Sequence, residues 1–104
     1  MRVVFSPKSR QDLLDIGDRI AKDSPLNARR FVARLMDQCQ RIGGAPLGYV
    51  QREDLAPGLR MAGLGNYVIF FRVLDDTVRV ERVLHGARNL PAVLAGASSK
   101  QRAP

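Results

Sequence analysis

The side chains best suited to chemistry in this chain are a histidine and several arginines. His85 is the only histidine, and an imidazole near neutral pH can act as a general acid or base. Arginine is the most abundant charged residue, and a guanidinium donates paired hydrogen bonds to carboxylates or phosphates. The sequence places no second titratable group to work with His85. The alternative is a half-buried histidine at a strand end that hydrogen-bonds the backbone.

The charge balance indicates an anionic partner. The 104 residues include 17 Lys+Arg against 10 Asp+Glu, with an isoelectric point near 10.8. Most of the cations are arginines, which favour bidentate contacts with carboxylates or phosphates. This excess favours a polyanion or an acidic protein as the partner. A basic protein with a solvated surface would have the same composition.

Cysteine, histidine and hydropathy argue against several classes of protein. Cys39 is the only cysteine, which excludes an internal disulfide, suits the cytoplasm and predicts a small core residue. One cysteine and one histidine cannot complete a zinc site, and we expect neither a metal nor a cofactor. The start, MRVVFSPKS, turns polar too early for a signal peptide. No apolar run approaches the roughly 20 residues that a membrane-spanning helix needs.

Local signals predict an N-terminal strand and then a pair of helices. Arg2–Phe5 has the composition of a strand. Ser6-Pro7 and Ser24-Pro25 each place a serine N-cap before a proline at the first helical position. Apolar residues recur at helical spacing after both signals, and Gly43-Gly44 ends the second helix. The very short link requires an antiparallel helical hairpin.

Strand signals predict a small antiparallel sheet in the second half of the chain. After a loop at Ala45–Pro57, the predicted strands are Leu59–Leu64, Tyr67–Leu74 and Thr77–His85. The expected fold is α+β, with an N-terminal strand and the antiparallel helical hairpin on one face of a three-stranded antiparallel sheet. Residues 1–95 would form one domain. Residues 96–104 would form a flexible tail, preceded by a short helical segment at Pro91–Ala95.

A two-residue turn at Asp75-Asp76 predicts which residues of the last two strands face each other. The face toward the helices would carry Val73/Val78, Phe71/Val80, Ile69/Arg82 and Tyr67/Leu84. The outward face would carry Arg72/Arg79, Phe70/Glu81, Val68/Val83 and Asn66/His85. Arg72 and Arg79 would then repel each other unless an anionic partner, or Glu81 on the diagonal, compensated them. Phe70 would be the one aromatic residue placed to stack on a nucleic-acid base.

Three residues of this hairpin are expected to have structural roles. Arg82 falls on the helix face, where its charge would need the carboxylate of Asp12 or Asp15. A bulge that turns Arg82 outward is the alternative. Gly86 permits a sharp exit or a positive φ. Tyr67 is expected in the core or in an interface.

Two segments of the hairpin carry a family pattern. NYVIFFRV contains a tyrosine-led strand that ends in Arg-Val, and VRVERVLHGARNL contains a strand that ends in Val-Leu-His-Gly-x-Arg. Together with the opening FSPKSRQDLLDIGDRIAKDSP, they resemble the RelE/ParE toxin superfamily of bacterial type II toxin–antitoxin systems, and the ParE-like branch in particular. The resemblance covers Arg2 to Leu94.

The resemblance implies one of two mechanisms. RelE-like members are ribosome-dependent mRNA endoribonucleases, whereas ParE-like members act on DNA gyrase and block replication. Val68 and Ala62 stand where the nucleases usually carry basic residues. This departure favours the ParE-like branch, a non-enzymatic inhibitor with no catalytic residue. The nuclease alternative would use Arg60, His85 and Arg88.

The resemblance also implies the partners and the biological role. A cognate ParD-like antitoxin would neutralise the toxin, and DNA gyrase would be its cytoplasmic target, with nucleic acid contacted only indirectly. Contacts with the antitoxin or the target are expected at Arg60, Arg72, Arg79 and Arg88. Growth arrest and plasmid stabilisation would follow. A third hypothesis is an adaptor that binds nucleic acid or protein and is not toxic.

Overall fold

The computed structural model describes residues 1–86 and Leu94. Within them the elements are β1 (Arg2–Phe5), α1 (Pro7–Asp23), α2 (Pro25–Gly44), a 3-10 turn (Pro46–Gly48), β2 (Val50–Gln51), β3 (Arg60–Leu64), β4 (Tyr67–Leu74) and β5 (Thr77–His85). The predicted α+β fold, with an N-terminal strand, two helices and then antiparallel strands, is confirmed. Apart from Leu94, the predicted Pro91–Ala95 helix and the 96–104 tail lie outside the described residues.

Serine caps begin both helices, as the sequence predicts. The Ser6 Oγ accepts a hydrogen bond from the Ser9 backbone N–H at 3.1 Å, and the Ser24 Oγ accepts one from the Asn27 N–H at 3.1 Å. A proline follows each cap, where its missing N–H leaves no hydrogen bond unmade. Because Ser24 ends α1 and also begins α2, the two helices turn back on each other without a loop.

The sheet is mixed and has five strands in the order β1-β5-β4-β3-β2. The three predicted antiparallel strands form its centre, and β1 joins the β5 edge in a parallel arrangement. At the opposite edge Val50 and Gln51 pair with Met61 and Arg60. The prediction that Ala45–Pro57 is entirely loop is therefore wrong at these two residues, because a strand this short shows no periodic pattern.

A β-bulge divides the hairpin of β4 and β5 into two parts. From Leu74/Thr77 to Phe71/Val80 the pairs are those predicted from the turn. Beyond them the register shifts, so that Phe70 faces Arg82 and Tyr67 faces His85. The predicted pairs in this second part are wrong, because the sequence does not show that Glu81 is the additional residue.

The bulge exchanges the faces of two apolar residues. Val83 lies in the core between the sheet and the helices, and Leu84 lies on the other side of the sheet. The sequence predicts the opposite for both residues. Without the extra residue at the bulge, strict alternation after Val80 would have placed Arg82 in that core.

The side of the sheet that faces away from the helices carries a second, smaller core. Phe70 and Leu84 are buried there together with Ala56, Leu59 and Leu94. The prediction that Phe70 offers an open stacking surface is wrong, since its exposed fraction is 0%. Ala56, which belongs to the predicted loop Ala45–Pro57, is thus part of a packed core.

No helix within the described part of the chain is long and apolar enough to cross a membrane. Among residues 1–86 and Leu94, no group of three or more His, Cys, Asp or Glu side chains could hold a metal ion.

Candidate functional site

Asp12 of α1 binds the bulge of β5 with three hydrogen bonds. The Arg82 Nε and Nη2 donate to its two carboxylate oxygens at 2.8 and 2.9 Å, and the Val83 backbone N–H donates at 3.0 Å. The hydrogen bonding of Arg82 to the Asp12 carboxylate raises the pKa of Arg82 above its ordinary value. Asp15, the other carboxylate considered from the sequence, is exposed and accepts from the Gln11 Nε2. The predicted ion pair with Asp12 and the alternative, a bulge, therefore occur together.

Arg72 and Arg79 lie directly opposite each other, and Glu81 lies between their guanidinium groups. The Glu81 carboxylate is 3.2 Å from the Arg72 Nη1 and 3.8 Å from the Arg79 Nε. The Arg72 Nε also donates to the Pro57 carbonyl at 3.0 Å. Glu81, the extra residue of the bulge, thus pairs with both arginines. Their repulsion is relieved within the chain, although Arg79 remains exposed over 42% of its side chain.

Arg60 does not share a surface with these two arginines. It pairs with Phe71, whose ring belongs to the core between the sheet and the helices. Its Nη1 donates to the Tyr49 carbonyl at 2.8 Å and to the Leu47 carbonyl at 3.4 Å. Neighbouring residues on adjacent strands point to the same face, so Arg60 lies on the helix side of the sheet. Arg88 lies outside the described residues.

His85 packs at the end of β5 against Tyr67. Their rings meet edge to face with centroids 5.3 Å apart, and Tyr67 makes a similar contact with Phe31 at 5.3 Å. An open cleft of about 510 Å³ borders these rings and is also lined by Asp12, Asp15 and Arg19. Tyr67 thus links the strand end to α2.

Gly86, directly after β5, contacts the turn between β3 and β4 through its backbone. Its N–H donates to the Asn66 carbonyl at 2.8 Å, and a Cβ there would lie 3.4 Å from the same oxygen. Gly86 does not adopt the positive φ considered from the sequence. Its role is a close approach to the turn between β3 and β4.

Two further arginines, Arg30 and Arg34, were not singled out from the sequence. They are exposed on α2 and border a cleft against the turn between β3 and β4. Their spacing of four residues, which places both on one face of a helix, is the signal that could have identified them.

Cys39 is buried in the core between helix and sheet, and burial raises the pKa of its thiol. Because the thiolate is the reactive form, we expect the folded protein to react with a thiol-specific disulfide reagent much more slowly than the protein unfolded in urea. The measurement is the rate of thiol release at one pH in both states. Equal rates would contradict the burial of Cys39.

The fold of this chain is shared with a solved structure. A solved structure described as "Chromosomal ParDE TA system from P. aeruginosa" is similar to this chain with a TM-score of 0.70 and 22% identity. The match covers 82% of this chain and 95% of that chain. No curated protein sequence matches this chain.

The sequence matches the family described as "ParE toxin of type II toxin-antitoxin system, parDE" over residues 3–90. The chain therefore belongs to the ParE toxin family. The resemblance inferred from the hairpin motifs is confirmed, and an antitoxin partner follows from the toxin–antitoxin system.

Proposed function

We propose that this toxin acts by inhibiting DNA gyrase in the cytoplasm, without catalysing a reaction, and that a ParD-like antitoxin neutralises it. The observation that carries this proposal is the packing of two residues that replace basic residues of the nuclease pattern. Ala62 is buried in the core between helix and sheet, and Val68 packs against the second core. These positions supply packing in this chain, whereas a nuclease would need cations there.

The strand register further supports a toxin without nuclease chemistry. Arg60 lies opposite Phe71, and His85 lies opposite Tyr67. These partners are four residues apart on β4, which corresponds to about 13 Å along the strand. β4 also separates β3 from β5 in the sheet. Arg60 and His85 therefore do not converge on one phosphate.

A supercoiling assay with purified toxin, gyrase, ATP and relaxed plasmid tests the gyrase proposal. We expect a dose-dependent loss of supercoiling and trapped cleaved DNA, both reversed by the antitoxin. His85→Gln should still arrest growth, because the proposed mechanism needs no general acid or base. Unchanged supercoiling, together with toxin-dependent cuts in translated mRNA that His85→Gln abolishes, would instead support the ribonuclease alternative.

The basic residues on the sheet are the proposed contacts for the antitoxin or the target. Of Arg60, Arg72, Arg79 and Arg88, the structure brings together Arg72 and Arg79. An acidic segment laid across them would compete with Glu81 for both guanidinium groups, since charge-assisted hydrogen bonds to carboxylates are the strongest available to arginine.

Charge reversal at Arg72 and Arg79 tests this surface. We expect Arg72→Glu/Arg79→Glu to bind the antitoxin more weakly and to keep the helical content of the wild type, because neither side chain lies in the cores. Glu81→Gln removes the internal competitor and should leave antitoxin binding at least as tight as in the wild type. Titration calorimetry of the three proteins measures both effects. Equal affinities for all of them would show that this face is not the antitoxin surface.

A further inference from the structure

A cleft of about 370 Å³ lies between α2 and the turn that joins β3 to β4. Its apolar lining includes Ile20, Phe31 and Leu64, and its polar lining includes Asn27, Arg30 and Arg34. Within residues 1–86 and Leu94, no carboxylate lines this cleft. It therefore combines apolar surface with cations and amide groups that can donate hydrogen bonds.

Arg30 and Arg34 at this cleft differ from Arg60 and Arg72 on the sheet in their hydrogen-bond and ion-pair partners. Arg60 donates to backbone carbonyls, and Arg72 pairs with Glu81. Among the described residues, neither Arg30 nor Arg34 has a hydrogen bond or an ion pair. Because like charges four residues apart on a helix repel each other, the pair is slightly unfavourable until an anion binds.

Gly65 helps to place one of these guanidinium groups at the cleft. It adopts a φ of +59° in the turn between β3 and β4, and a Cβ added there would lie 2.7 Å from the Arg34 Nη2. The absent side chain leaves room for the Arg34 guanidinium directly over the turn. Asn66 and Tyr67 follow Gly65 and also line the cleft.

We propose that this cleft binds an acidic residue of the antitoxin together with a neighbouring apolar side chain. The carboxylate would accept hydrogen bonds from Arg30 and Arg34, for which bidentate geometry is favourable. The apolar side chain would pack on Ile20 and Tyr67, which line the cleft and are only partly buried. This inference rests on the toxin–antitoxin assignment and is independent of gyrase as the target.

The apolar lining favours a protein segment over a nucleic-acid strand. A phosphate backbone is bound by cations that follow its length and by exposed aromatic faces on which bases stack. Here Phe31 is buried, and its ring is engaged edge to face by Tyr67. Apolar surface beside arginine is instead typical of the central residues of protein interfaces.

A small probe tests the chemistry of the cleft. We would add N-acetyl-leucyl-glutamate to the isotope-labelled toxin and follow the Arg Nε–H signals and the Gly65 amide by NMR. Saturable shifts at Arg30, Arg34 and Gly65 are expected in the wild type. The Gly65 amide shift should disappear in Arg30→Gln/Arg34→Gln. All three shifts should persist in Arg29→Gln, since Arg29 is also exposed on α2 and does not line the cleft.

Inorganic phosphate at matched ionic strength is the comparison arm. Stronger shifts with the peptide than with phosphate support a carboxylate with an apolar neighbour. Equal or stronger shifts with phosphate, or shifts that survive in Arg30→Gln/Arg34→Gln, would overturn the proposal.

The antitoxin complex provides the second test. The purified antitoxin should bind Arg30→Glu/Arg34→Glu at least about tenfold more weakly than the wild type. The reason is that each charge-assisted hydrogen bond lost removes a substantial part of the binding free energy. Arg29→Glu reverses a single positive charge outside the cleft. Its affinity for the antitoxin should remain within about threefold of the wild type, because an exposed charge contributes little. Equal affinities of the two variants would refute the site. Failure to inhibit gyrase in a separate assay would remove only the target proposal.

Discussion

Replacing Asp12 with alanine should lower the free energy of unfolding by about 3 kcal/mol, because it leaves a largely buried guanidinium without its carboxylate. The Asp12 and Arg82 side chains are exposed over only 12% and 16% of their surface, so water compensates the loss poorly. The change also removes the acceptor for the Val83 N–H at the bulge. Urea denaturation monitored by circular dichroism measures the effect.

Asp15→Ala is the matched control for this prediction. Asp15 is an exposed carboxylate on the same helix, and its loss should change stability by no more than about 0.5 kcal/mol. In Asp12→Ala/Arg82→Met no unpaired charge remains, so the double variant should be more stable than Asp12→Ala. If Asp12→Ala were as stable as Asp15→Ala, the ion pair would not hold α1 to the bulge.

Replacing Phe70 with alanine should lower the free energy of unfolding by about 4 kcal/mol, because it leaves a cavity in the smaller core. Phe70 is completely buried, together with Leu59 and Leu84. The loss would show that the side of the sheet away from the helices is a packed core. Thermal and urea denaturation both report it.

Leu74→Ala is the control for the loss of a large side chain from β4. Leu74 is 44% exposed at the hairpin end, and its truncation should cost no more than about 1 kcal/mol. A Phe70→Ala variant as stable as Leu74→Ala would mean that Phe70 is open to solvent. In that case it would again be available for stacking.

Signals contained in a few neighbouring residues predicted most of the elements correctly. The Ser-Pro pairs begin both helices, and the turn after Leu74 sets the first pairs of the hairpin. These features depend on backbone preferences within about one helical or hairpin turn. The short β2 was missed because its pairing with β3, and no pattern of its own, defines it.

The register beyond the bulge could not be read from the strand sequence. The Val83 N–H and the Arg82 side chain both donate to Asp12, about 70 positions earlier in the chain. The alternation of apolar and polar residues along β5 does not reveal a contact with a carboxylate this distant in sequence. The faces of Val83 and Leu84 follow from the bulge that this contact accompanies, so the sequence assigned both to the wrong side.

The sequence determined both helices, the strands other than β2, the antiparallel hairpin and the membership of the ParE toxin family, because short motifs at fixed spacing carry them. Only the tertiary structure decided which arginines are available to a partner. Arg60 and Arg72 are bound by carbonyls and a carboxylate from other segments, whereas Arg30 and Arg34 have no such partner among the described residues. The physical reason is that the availability of a guanidinium depends on acceptors brought to it by folding, which its sequence neighbours do not reveal.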